Sequence, residues 1–237
     1  MIILAMDTTA KTAAAALLDG EKLLAKDARE GQGAHSAALL PMIEDLFSRT
    51  GIGSDGVDLY AASAGPGSFT GVRIGAATLK GLAFGRKRPA AEVSALEALA
   101  YNLRDTDCTA CALMDARRGQ FYTALFRCGG GLAARLTPDE AKSGEEIARA
   151  CAGQSALCLV GDGAEAALPF FGSAAVLAPP KIRYADGESV GLAALSMYKA
   201  GKTVPAEEFR PVYLRLPQAE RERLARIEKE KTNDERL

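Results

Sequence analysis

The chain has 237 residues, 48% hydrophobic and 25% charged, an ordinary globular composition that can fill two small lobes without disulfide or metal staples. Its 29 basic and 30 acidic residues leave a net charge of −1, which argues against a protein that grips nucleic acid alone; Arg86-Lys87-Arg88 and Arg117-Arg118 are its only compact basic clusters. Five cysteines, an odd number, read as reduced thiols, and no apolar run reaches the roughly 18 residues of a membrane span.

The first residues, Ile2-Ile3-Leu4-Ala5-Met6-Asp7, show no basic region followed by a long apolar stretch, so the expected location is the cytoplasm. Residues 2–6 read as a buried strand, 13–18 as a second strand closed by the Asp19-Gly20 turn, and 22–29 as a third, completing a meander. Residues 36–47 carry Leu39, Leu40, Ile43, Leu46 and Phe47 at helical spacing, with Ser36 as N-cap and Pro41 near the end of the first turn or just past it, where it would kink the helix or move its start. A strand over 59–64 runs into Gly65-Pro66-Gly67-Ser68 and a helix over 69–84. A strand or turn begins at Val93, and a helix covers 96–103.

The pattern then restarts, with strands at 110–114, 121–126 and 157–160, the last entering Gly161-Asp162-Gly163, and a helix at 190–198. A shift of 108 residues places Met6-Asp7 on Met114-Asp115 and Ala16-Leu17-Leu18 on Ala124-Leu125-Phe126. Matching strings in one element order point to a duplicated α/β fold. The expected organisation is a lobe over 1–104, a second over 105–215 whose last helix packs back on the first, and a charged tail over 216–237. The tail reads as a solvated helix over 218–237 or, less simply, a partner-binding one.

The glycine loop and the helix after it allow two readings each. Backbone amides at a helix N-terminus attract anions, which would place Thr8, Thr9, Gly67, Ser68 and Arg117 near a phosphate or nucleotide; the alternative is capping by Ser68 or Thr70 and tight packing. In the helix, Gly71, Gly75 and Gly81 each cost about 1 kcal/mol relative to Ala, so a backbone approaches closely, either the chain's own sheet or a partner's helix. The partner reading implies that Gly75→Leu or Ala76→Arg weakens pairing and spares the fold. Cys108 and Cys111 form a C-x-x-C in an apolar run and read as packing thiols, with no second pair to complete a zinc site. His35, the only histidine, has no ligand cluster and no evident nucleophile to serve, so neither a metal site nor a peptidase is indicated.

The two-lobed pattern is similar to the actin-like ATPase (ASKHA) superfold, mixed sheets flanked by helices. In that superfold a phosphotransferase carries an Asp and then a Gly in each lobe's first hairpin. Asp7-Thr8-Thr9 and Asp115-Ala116-Arg117 both lack that Gly, and a β-branched residue resists positive φ, so a working small-molecule kinase or ATPase is the weaker reading.

Several blocks in order resemble one family more closely. They include Met6-Asp7-Thr8-Thr9, His35-Ser36 before Leu39-Leu40-Pro41, Gly65 through Gly75, Asp115-Ala116-Arg117-Arg118-Gly119, and Pro211-Val212-Tyr213-Leu214-Arg215. Over residues 1–215 the chain resembles the bacterial TsaB (YeaZ) family of tRNA threonylcarbamoyladenosine biosynthesis. The resemblance implies a non-catalytic scaffold with no catalytic residue, metal or cofactor of its own. It would pair with TsaD, the catalytic subunit that modifies adenosine 37 of tRNAs reading ANN codons, and be joined by the ATPase TsaE. ATP and a metal would belong to those partners, tRNA would be met only through the complex, and the chain alone would form a homodimer. The pairing surface would lie on the two long first-lobe helices, through His35, Leu39, Leu40, Ile43, Phe69, Val72, Arg73, Gly75 and Ala76.

Overall fold

The structure, a computed structural model, describes residues 1–30 and 35–215; the expected tail helix over 218–237 lies outside the described residues. The meander forms as β1 (Ile2–Asp7), β2 (Thr12–Asp19) and β3 (Lys22–Glu30). It is followed by α1 (His35–Thr50), β4 (Leu59–Gly65), α2 (Phe69–Ala83), β5 (Pro89–Ser94) and α3 (Ala95–Tyr101). The second half comprises β6 (Cys108–Asp115), β7 (Gln120–Gly129), β8 (Leu132–Arg135), β9 (Glu140–Ser143) and α4 (Gly144–Ala150). It continues with β10 (Leu157–Val160), α5 (Ala164–Ala167), β11 (Ala175–Leu177), α6 (Gly187–Lys199) and β12 (Val204–Pro205).

Two mixed six-stranded sheets result. The first runs β12-β5-β4-β1-β2-β3, with β1 antiparallel to β2 and parallel to β4. The second runs β11-β10-β6-β7-β8, with β9 also on β7. Strand alternation sorts the side chains into three cores. Ile3, Ala5, Ala16 and Leu18 of the first sheet and Ala110, Ala112, Ala124 and Phe126 of the second face one shared inner core that holds α3 and α6. Leu4, Met6 and Leu17 face outward onto α1 and α2, and Cys111, Leu113 and Leu125 face outward onto α4 and α5. Each fully buried Leu, Ile or Met contributes about 1.5–3 kcal/mol, and the stripe Leu39, Met42, Ile43 and Leu46 holds α1 to its sheet.

Four details differ from the sequence reading. Helix α1 starts at His35, so Ser36 is a helical residue rather than the N-cap. The strand expected from Val93 begins at Pro89, because β12 and β4 pair with its earlier residues, and α3 begins at Ala95. After residue 186 the chain packs α6 on β1 and β2, and β12, a strand absent from the sequence reading, joins the first sheet. The 108-residue shift holds for Ala16-Leu17-Leu18, whose faces match Ala124-Leu125-Phe126, but fails one strand earlier. Met6 faces outward whereas Met114 faces inward, because the last pairs are Asp7–Ala14 and Asp115–Phe121, one residue closer in the second hairpin. A one-residue slip exchanges faces; face for face, Met6 corresponds to Leu113.

Candidate functional site

The first hairpin, the glycine loop and α2 meet in one packed junction. Thr8 and Thr9 are 1% and 2% exposed. The Thr8 hydroxyl donates to the Gly71 carbonyl at 2.7 Å, and a Cβ on Gly71 would stand 1.9 Å from the Thr8 carbonyl oxygen. On Gly75 it would meet the Thr8 hydroxyl at 2.9 Å. Gly71 and Gly75 thus admit the chain's own hairpin, which is the own-sheet reading, whereas a Cβ on Gly81 would meet nothing within 4 Å. The Ser68 amide donates to the Thr9 carbonyl at 2.8 Å, and the Ser68 hydroxyl caps α2 by accepting from Gly71 N–H at 3.2 Å. Two groups that an anion would need are therefore engaged, and Thr8, Thr9, Gly67 and Ser68 serve packing and capping. Arg117 is exposed on the second hairpin, where its N–H donates to Asp115 Oδ1 at 2.7 Å.

Asp7 lies at the base of this junction, 1% exposed. Its Oδ1 accepts from Thr9 N–H at 2.7 Å and the Thr9 hydroxyl at 2.8 Å, and Oδ2 accepts from the Ser63 hydroxyl. Burial pushes the carboxyl pKa up, opposed by the Ser63 and Thr9 hydrogen bonds. Both oxygens are occupied, so Asp7 is poorly placed to act as a base or a ligand. His35 Nε2 lies 3.0 Å from the Ala10 carbonyl, tying the start of α1 to the same hairpin.

Between the lobes runs a cleft with an inner cavity of about 250 Å³ and an outer one of about 440 Å³. Asp7, Glu30, Asp162 and Glu165 line the inner cavity together with Lys11, with Leu99 and Met114 on its apolar wall. Burial raises the Asp162 pKa and the neighbouring Asp115 adds to the shift, while the Asp115 N–H bond opposes it. Among the described residues no three His, Cys, Asp or Glu side chains are grouped to hold a metal ion.

The outer face of α1 and α2 differs from the surface expected from sequence. Leu39, Ile43 and Ala76 belong to the chain's own outer core, and Val72 and Gly75 are buried too. His35 and Phe69 are half-buried, and Leu40 and Arg73 are exposed. Exposed positions include Ala37, Leu40 and Pro41 on α1, Ala77 and Gly81 on α2 and, just past α2, Phe84; the charged Glu44, Asp45, Arg49, Arg73 and Lys80 are exposed on the same two helices. Phe84 is 88% exposed and Leu40 45%. Leu40 is among the residues expected on this surface from sequence; Ala77 and Phe84 are not, although Ala77 is a small residue off the buried helical stripe.

Cys108 and Cys111 do not form a pair. Three residues apart on β6, they point to opposite faces, Cys108 to the inner core beside Cys128 and Cys111 to the outer core beside Cys151. Burial pushes Cys128 up to about 12 and Cys158 to about 11, which keeps both thiols protonated. All five cysteines are free and buried.

Comparison with known proteins gives a consistent set of relatives. The family described as TsaD: tRNA N6-adenosine threonylcarbamoyltransferase matches residues 29–159. The Escherichia coli tRNA threonylcarbamoyladenosine biosynthesis protein TsaB is 33% identical over 198 residues, 76% of this chain and 80% of that protein. TsaB of Bacillus subtilis is 36% identical over 140 residues, a match spanning 59% of this chain and 61% of the relative's length. The solved structure of YeaZ from Pseudomonas aeruginosa superposes with a TM-score of 0.79 at 28% identity, covering 90% of this chain and 99% of that one.

Proposed function

The chain belongs to the TsaB family, and on that premise we propose that it is a non-catalytic subunit of tRNA threonylcarbamoyladenosine biosynthesis that works by pairing with TsaD. The observation carrying the pairing is exposed apolar surface on α1 and α2: Phe84 is 88% and Leu40 45% exposed, and Ala37, Ala77 and Gly81 are exposed as well. Small residues let a second helix pair approach closely, and burying Phe84 and Leu40 supplies the drive. TsaD matches part of this chain and would offer related helices to the same face. In the absence of TsaD, the same face would join two copies of this chain. TsaE would join the TsaD complex.

The hairpin geometry supports the non-catalytic part. Asp7 spends both oxygens on Thr9 and Ser63, and Thr9 closes the space against Gly67, where a Cβ would stand 2.5 Å from the Thr9 carbonyl oxygen. Charge supports contact with tRNA through the partner. Arg86 is held by Asp55 and Ser54, and Arg88 lies 3.6 Å from Asp58, so the one basic run of the first lobe is largely neutralised at the surface. ATP and any metal would be supplied by the partner subunits.

Reconstitution tests this reading. The chain alone should modify no tRNA and turn over ATP at background rate, while adding it to TsaD and TsaE should raise threonylcarbamoyl transfer. Transfer that proceeds equally without the chain, or ATP turnover by the chain alone that Asp7→Ala abolishes, would replace the scaffold reading with a catalytic one.

A further inference from the structure

The Pro211-to-Arg215 block is used by neither the cleft chemistry nor the partner face. Its path is unusual for a segment without regular structure, because it leaves the first lobe and ends on the second. Phe209, fully buried in the outer core, anchors its start. The Arg210 N–H donates to Glu92 Oε1 at 2.5 Å, and the Val212 N–H donates to the Ala64 carbonyl at 2.7 Å. Gly65 makes room, since a Cβ there would stand 2.3 Å from the Val212 oxygen.

Beyond Val212 the segment crosses the cleft mouth. The Tyr213 ring packs on Phe69 at 4.9 Å between centroids. The Arg73 guanidinium lies 3.7 Å from the Phe69 centroid, and its Nε donates to the Tyr213 hydroxyl at 3.0 Å. Arg215 Nη1 then donates to the Ala116 carbonyl at 3.1 Å, in the turn between β6 and β7. Val212, Tyr213, Leu214 and Arg215 wall the outer cavity. At the inner end the lobes are tied separately, through Asn102, which bonds Ser189 and donates to the Tyr184 carbonyl at 2.8 Å.

We infer that residues 209–215 are a latch across the cleft mouth, set in place by Arg73 and Phe69 of α2 and closed on the second lobe by Arg215. Arg73 is a positioning residue: it orients Tyr213, and through Tyr213 the arm that carries Arg215. Releasing the latch frees the outer cavity without disturbing the inner hinge of α3 and α6. The inference does not depend on any partner, and it is tested on the isolated full chain.

The test is amide hydrogen exchange on wild type, Tyr213→Ala and Arg215→Ala, with far-UV circular dichroism as the check on folding. Tyr213→Ala removes a stack, a cation–π contact and a hydrogen bond, and should speed exchange about tenfold both at Val212 and in the 116–120 turn. Arg215→Ala should speed the 116–120 turn alone. In both variants the amides of α3 and α6 should keep their wild-type rates. If Tyr213→Ala fails to fold, Arg215→Ala decides. A 116–120 turn at the wild-type rate would show a segment that merely packs on the first lobe, and a rise shared equally by α3 and α6 would show general loss of stability; either overturns the latch.

Discussion

The two lobes carry the same device, a hairpin pressed against a glycine loop that opens a helix, and use it to opposite ends. In the first lobe Thr8 and Thr9 are buried against Gly67, Gly71 and Gly75, and α2 continues for 15 residues. In the second, Arg117, Arg118 and Gly119 all sit at positive φ on an exposed turn, and α5 lasts 4 residues. The first junction therefore supports a long helix whose outer face is exposed among the described residues. The second leaves a cationic turn facing the cleft, where Arg215 reaches it. The difference teaches that one arrangement of hairpin, glycine loop and helix is packed shut in the first lobe and left open in the second.

The sharpest way to break the comparison is at its glycines. Gly71→Ala should cost about 3 kcal/mol or more, because its Cβ would stand 1.9 Å from backbone, despite Ala's better helix propensity. Gly119→Ala meets nothing within 4 Å and should cost only about 1 kcal/mol for its left-handed conformation. Urea unfolding midpoints would separate the two, and equal costs would mean that the first junction is not the tighter one. Gly75→Leu belongs with Gly71 and should lose the fold, a reversal of what the sequence suggested for pairing.

At the outer face, Ala77→Arg and Leu40→Arg should leave stability within about 0.5 kcal/mol, since both sites are exposed. Each should weaken binding to TsaD at least tenfold by isothermal titration. Ser68→Ala removes the α2 cap and should cost about 1 kcal/mol, read by the same urea unfolding.

The smallest effect expected is a pH dependence at Asp7. Its folded-state pKa is raised by burial, so the folded chain holds that proton more tightly than the unfolded chain. The contribution is fully present below the unfolded value near about pH 4 and is lost as pH rises through the folded one. Wild-type stability relative to Asp7→Asn should therefore fall from pH 4 toward neutrality. Asn can still accept from Thr9 and can donate to Ser63. A flat difference across that range would place Asp7 in a more solvated setting than the packed junction allows.

Much of this architecture is legible in the sequence because apolar runs stopped by Asp or Gly mark strands, as at Met6-Asp7, Leu18-Asp19 and Val160-Gly161. Three features were not. Small residues announce close approach without naming the neighbour, so Gly75 and Ala76 read equally as core or interface until Thr8 is seen against Gly75. Strand faces depend on the ladder, so Met114-Asp115 imitated Met6-Asp7 while pointing the other way. Short elements such as β8, β9 and α4 rest on pairing with β7 and on the Ser143–Glu146 capping box rather than on any long periodic pattern. The latch escaped for the same reason, being built from contacts such as Arg73 with Tyr213, 140 residues apart.

The central claim is that the outer face of α1 and α2 is where this chain does its work. Size-exclusion chromatography with light scattering, on the chain co-expressed with TsaD from the same source, tests it most directly. The account predicts a one-to-one complex for wild type and separate species for Ala77→Arg, with the variant still folded by circular dichroism. A full-strength complex with folded Ala77→Arg and Leu40→Arg alike would contradict it and move the interface elsewhere on the molecule.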